Sequence, residues 1–109
     1  MSIPRPAGGW TFTTAVPHPG EILREEFLAP HRISMNRLAQ GLHVTAGRIS
    51  DIVNGRRGIT ADTALRLSVF FGTTPEFWIN LQTTYDLSKQ QAEHMSEIER
   101  DVHRYAAAG

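Results

Sequence analysis

Apolar residues recur along this chain at intervals of three and four and nowhere alternate over the length of a strand, a pattern that predicts an all-α fold. The clearest stretch runs from Met35 to Asn54, MNRLAQGLHVTAGRISDIVN. Here Leu38, Leu42, Val44, Ile49 and Ile52 can face one core, and Ala39 is small enough to let a second helix cross the first closely. Two short helices joined this way form a helix-turn-helix, whose second helix is shaped to enter the major groove of DNA. Ser34 and Thr45 stand where N-caps belong. His43 occupies the turn position that calls for left-handed backbone, which histidine tolerates at some cost. Asn54-Gly55 ends the second helix, with Gly55 as its left-handed residue.

The flanking segments carry clear punctuation. Residues 1–17 hold Pro4, Pro6, Gly8, Gly9 and Pro17 with no helical period, so they read as an extended or disordered arm. Within it, Trp10 and Phe12 fit two readings, an anchor for a partner protein or self-packing. His18-Pro19-Gly20-Glu21 opens a first helix with Pro19 at the first helical position. Its buried stripe is Ile22, Leu23, Phe27 and Leu28, and Pro30 is expected to stop it. Thr60 caps a fourth helix, whose Ala64, Leu65, Leu67, Ser68 and Phe71 close the core before Gly72. Thr74-Pro75-Glu76 caps a fifth, with Phe77, Trp78, Leu81 and Tyr85 on one side. The domain thus spans 18–87. Residues 88–109 add an amphipathic C-terminal helix with Met95, Ile98, Val102 and Tyr105 spaced 3, 4 and 3 apart. Period alone does not decide whether it continues the fifth helix, and Ser88 as a cap favours a break after Asp86-Leu87.

Composition narrows the class. At 109 residues the chain is one domain's worth. The absence of cysteine excludes disulfides, thiolate zinc sites and thiol nucleophiles. No apolar run approaches the roughly 18 residues of a membrane span, and no signal-peptide order is present, so a cytoplasmic location is expected. Net charge is zero, yet from His31 to Thr60 five arginines (Arg32, Arg37, Arg48, Arg56, Arg57) face one acid, Asp51. That local excess suits phosphate attraction. His18, His31, His43, His94 and His103 lack ligand-like spacing, so no metal or cofactor is expected. No P-loop, HExxH or Gly-x-Ser-x-Gly is present and the carboxylates do not converge, which argues against an enzyme.

Counting from Thr45, the residues Ala46, Gly47, Ser50 and Asp51 occupy the face that meets the major groove, flanked by Arg48 and Asn54. Ala46 can touch a thymine methyl and Ser50 can donate or accept. Asp51 either accepts from cytosine N4 or forms an ion pair with Arg48 or Arg37. Arg48 is the one long donor on the helix and a candidate for guanine or phosphate. Arg37, Asn54, Arg56 and Arg57 read as phosphate clamps, with Ser34 and Thr45 donating from the helix N-termini. Gly47 is either a packing concession or a point of close DNA approach. Phe77, Trp78, Leu81 and Tyr85 extend an apolar stripe past a small core and are expected to form a two-fold dimer seam. A dimer implies an operator that is an inverted repeat, with half-site centres about one helical turn or a multiple apart.

PHPGEILREEFLAP, NGRRGITADTALRL and TPEFWINLQTTYDL together make the chain, over roughly His18 to Leu87, similar to the HigA-type antitoxins of bacterial toxin-antitoxin modules, within the Xre/Cro group of helix-turn-helix regulators. The resemblance implies a five-helix Xre/Cro-type domain. It also implies a homodimer that represses its own operon and neutralises a partner toxin, usually a RelE-like mRNA endonuclease. Xre-type proteins often place Gln or Arg at the positions of Ala46 and Gly47, so direct base readout is weakened here. Two alternatives stand beside this: an Xre-type regulator without a toxin, and a protein-interaction adaptor on the same scaffold.

Overall fold

A computed structural model describes residues 16–106, so Trp10, Phe12 and most of the N-terminal arm lie outside the described residues. The first helix, α1, begins where His18 caps it: the imidazole Nδ1 accepts a hydrogen bond from the Gly20 N–H at 2.9 Å, and Pro19 takes the first helical position. α1 then runs through an α-helical turn at Pro19–Ile22, a π-helical stretch at Leu23–Leu28 and a closing turn at Ala29–His31. Pro30 therefore does not stop the helix. The Ala29 N–H donates to the Arg24 carbonyl five residues back, and this widened turn relieves the collision a proline ring makes with the carbonyl four residues earlier. The chain leaves α1 at Arg32, which adopts left-handed backbone with φ of 54°.

Helices α2 (Met35–Leu42) and α3 (Ala46–Val53) form the helix-turn-helix. Ser34 Oγ accepts from the Arg37 N–H at 3.0 Å and Thr45 Oγ1 from the Arg48 N–H at 3.1 Å. His43 supplies the left-handed turn with φ of 56°, and Gly55 closes α3 with φ of 76°. α4 (Ala61–Phe71) is capped by Thr60, and α5 (Pro75–Asp101) by Thr74. All five helices seal one core in which Leu23, Leu38, Ile49, Ile52, Leu67 and Trp78 are fully enclosed. Burying each such side chain stabilises the fold by about 1.5–3 kcal/mol. At one point backbone meets backbone. Gly20 in α1 lies so near α3 that a Cβ there would overlap the Ile52 carbonyl oxygen and come within 3.0 Å of Val53 Cα.

Three further sequence expectations are corrected. Leu65 is 56% exposed, because Ala64, Leu67 and Ser68 take the inner side of α4 and turn it outward. Trp78 is buried within its own chain. Its ring packs against Phe27, Phe71 and Phe77, and its indole N–H donates to Thr73 Oγ1 at 2.7 Å, so it has no surface to offer a second copy. α5 continues without a break through Asp86, Leu87 and Ser88, so the amphipathic segment is its second half. Ser88 lies mid-helix, where an uninterrupted backbone ladder outweighs an optional cap. Residues 89–101 project beyond the core and are exposed throughout.

His18 shows how this assembly holds its N-terminal cap. The ring is partly buried and meets Tyr85 edge-on at 4.9 Å. Burial pushes its pKa below the ordinary histidine range, with Asp86 opposing and Lys89 reinforcing the shift. The folded state thus binds the proton less tightly than the unfolded chain. The contribution is complete above the ordinary histidine pKa and is lost as pH falls through and below that value. Urea unfolding at about pH 7.5 and about pH 5 should show a decrease in stability that shrinks in His18→Asn, which caps the helix without titrating. An equal decrease in both proteins would assign the pH sensitivity to other groups.

Candidate nucleic-acid interface

The N-terminal turn of α3 is open to solvent. Thr45, Ala46 and Gly47 are all exposed, and a Cβ built at Gly47 meets nothing within 4 Å. Gly47 therefore makes no concession to packing inside the chain. Gly47→Ala should leave stability unchanged or raise it by up to about 1 kcal/mol. If a duplex seats against this turn, the same methyl should weaken its binding severalfold. An unchanged affinity on titration would show that nothing approaches Gly47 closely.

Behind that turn the side chains are held by ion pairs. Arg48 does not extend outward from α3; its Nη1 donates to Asp62 Oδ2 at 2.8 Å, on the first turn of α4. Asp62 also accepts from Arg66 Nε at 2.9 Å, and Arg66 Nη1 donates to the Leu42 carbonyl at 2.8 Å. These hydrogen bonds, from Arg66 first and Arg48 second, hold the Asp62 carboxyl below the usual carboxylate range. The network ties α4 to the C-terminal end of α2, where carbonyls lack helical partners. Sequence reasoning passes over Asp62 and Arg66. Their i,i+4 spacing on α4 is the signal that points to them.

The third group lies at the other end of α3. Asp51 pairs with Arg56 and Arg57, not with Arg48 or Arg37. The turn after the helix brings residues five and six positions on back over the carboxylate, and the Arg56 and Arg57 N–H groups both donate to the Asp51 carbonyl, at 2.8 and 3.2 Å. Asn54 Nδ2 donates to the Ser50 carbonyl at 2.8 Å and reaches Ser50 Oγ at 3.3 Å, so these two candidates also bind each other. Arg37 is exposed and carries no ion pair among the described residues. Ser34 and Thr45 use their hydroxyl oxygens as caps, which leaves each O–H available to donate. The structure thus gathers Thr45, Ala46, Gly47, Ser50, Asn54, Asp51, Arg56 and Arg57 along one helix and its following turn. Arg48 is drawn off toward α4.

Of the aromatic stripe on α5, Phe77 is 38% exposed, while Leu81 and Tyr85 are half-buried, Tyr85 against His18. Farther along, Leu87, Met95 and Ile98 are exposed. At 3.6 residues per turn, Phe77, Leu87, Met95 and Ile98 fall within about 80° of one another around the helix. No group of three or more His, Cys, Asp or Glu side chains among the described residues could hold a metal ion, and no described helix is long and apolar enough to cross a membrane.

A helix-turn-helix family model matches residues 23–78. Virulence-associated protein I of Dichelobacter nodosus is 53% identical over 79 residues, spanning 72% of this chain and 73% of that protein. Among solved structures, an addiction module antidote protein of the HigA family from Coxiella burnetii superposes with a TM-score of 0.80 at 49% identity, covering 84% of this chain and all of that one. The Pseudomonas aeruginosa antitoxin HigA, solved with the higBA promoter, superposes with a TM-score of 0.80 at 44% identity over 84% of this chain and 99% of that one.

Proposed function

Because this chain belongs to the Xre/Cro helix-turn-helix family, among its HigA-type antitoxins, we propose that it is a cytoplasmic DNA-binding autorepressor and antitoxin. It binds an inverted-repeat operator as a homodimer, represses its own operon and neutralises a cognate toxin, a RelE-like mRNA endonuclease. The observation that carries the DNA half is the bare, capped N-terminal turn of α3 at Thr45, Ala46 and Gly47, with Arg56 and Arg57 at the far end of the same helix. With Arg48 engaged by Asp62, base readout falls to Ala46, Ser50 and the shape of the duplex, while Ser34, Arg37, Arg56 and Arg57 fix the register on phosphates. The dimer seam runs along the exposed side of α5, from Phe77 and Leu81 toward Leu87, Met95 and Ile98. The toxin half rests on the named similarity to antitoxins.

Binding to the DNA upstream of its own gene, measured against ionic strength, tests the proposal. Footprints should show two half-sites with centres about one helical turn or a multiple apart. Arg56→Ala with Arg57→Ala should weaken binding to every sequence alike and lower the salt slope by about 0.9 for each phosphate no longer neutralised. Binding without salt dependence would favour the adaptor reading, and a single unpaired half-site would remove the dimer.

A further inference from the structure

Asp51 sits at the edge of the exposed side of α3, and both of its carboxylate oxygens are occupied by the arginines of the following turn. Oδ1 accepts from Arg56 Nε at 3.2 Å and lies 3.1 Å from its Nη2, a two-pronged approach, while Oδ2 lies 3.7 Å from Arg57 Nη2. The guanidinium side chains remain 62% and 49% exposed, so solvent and ligands reach them while they are paired. The backbone supports the same arrangement, since the Asp51 carbonyl accepts the N–H groups of both arginines. A carboxylate offering its oxygens to guanidinium groups presents the chemistry a DNA phosphate presents.

We propose that Asp51 is an internal stand-in for a DNA phosphate: it holds Arg56 and Arg57 in the free protein and must yield them when duplex DNA binds, restraining sequence-independent affinity. Exposed ion pairs are weak enough to exchange. Sequence-independent binding depends on how many phosphates are neutralised, so an acid that engages two cations at this position works directly against it. One carboxylate cannot fully neutralise two arginines, and the restraint is therefore partial. The inference rests on the DNA-binding function proposed above.

The test is a titration of the full chain with a duplex of scrambled sequence. Asp51→Asn keeps the size of the side chain and the backbone hydrogen bonds but removes the charge, and it should tighten binding about three- to tenfold. In a background carrying Arg56→Ala and Arg57→Ala the same substitution should give no gain. Asp51→Ser supplies a second charge-free side chain, and thermal unfolding of each variant identifies any that fails to fold. A gain of equal size in both backgrounds would reduce the effect to long-range charge and overturn the proposal, as would no gain in either. Weakened operator binding with scrambled-duplex binding unchanged would assign Asp51 to a base edge and overturn it too. If the unmodified protein bound neither duplex, the DNA-binding function itself would fail. If it bound but did not respond to Asp51→Asn, only the present inference would fail.

Discussion

Gly20→Ala should cost the protein about 3 kcal/mol or more of stability, at the upper end of what overpacking does in cores, and shift its denaturant midpoint accordingly. The added methyl would overlap the Ile52 carbonyl oxygen and stand 2.6 Å from the carbonyl carbon. Both atoms belong to the backbone of α3, so no side chain can swing away. Relief requires α1 to lift from α3, which disturbs the helix aimed at DNA, and operator binding should weaken along with stability. Gly41→Ala gives the contrast. There the new methyl meets the Phe70 ring, a side chain that is already 37% exposed and can rotate outward. Its cost should be well below that of Gly20→Ala. Equal midpoints for the two variants would show that α1 and α3 are less tightly apposed than their backbones indicate.

Trp78→Ala should destabilise by about 3–5 kcal/mol, the range for removing a large aromatic side chain from a packed interior. It removes the packing against Phe27, Phe71 and Phe77 and leaves the Thr73 hydroxyl without its indole donor. The substitution also separates core from interface. Damage confined to one chain lowers the unfolding midpoint by the same amount at all protein concentrations, whereas damage to a dimer seam fades on dilution, as the unaltered dimer also dissociates. A destabilisation that faded as the protein was diluted would return Trp78 to the seam. The surface position Phe77 should show the opposite pattern, with a small intrinsic effect and a concentration-dependent one.

The arginines show how far a charge pattern carries and where it stops. The excess of Arg over acid from His31 to Thr60 is visible in the chain, but a count cannot say which cations are engaged. Asp62 lies just beyond that stretch and engages Arg48, while Asp51 engages Arg56 and Arg57. The partners of Asp51 escape a reading of the sequence for a definite reason. Helical spacing relates residues three and four apart, whereas Arg56 and Arg57 return to Asp51 through the turn after Gly55, outside the helix.

Locally determined features are legible in the chain alone. Ser34, Thr45, Thr60 and Thr74 cap their helices because a side-chain oxygen placed there satisfies an N–H within three residues. Leu38, Leu42, Ile49 and Ile52 share a core because their spacing places them on one side of two helices. The left-handed turn at His43 and the stop at Asn54-Gly55 are equally local. Tertiary structure decided whatever depends on which surfaces meet. Leu65 and Trp78 both belong to apolar stripes, and only the placement of α4 and α5 turned one outward and enclosed the other. The Arg48–Asp62–Arg66 network is of the same kind. In each, two or more local options are close in energy, and packing between segments distant in sequence selects one of them.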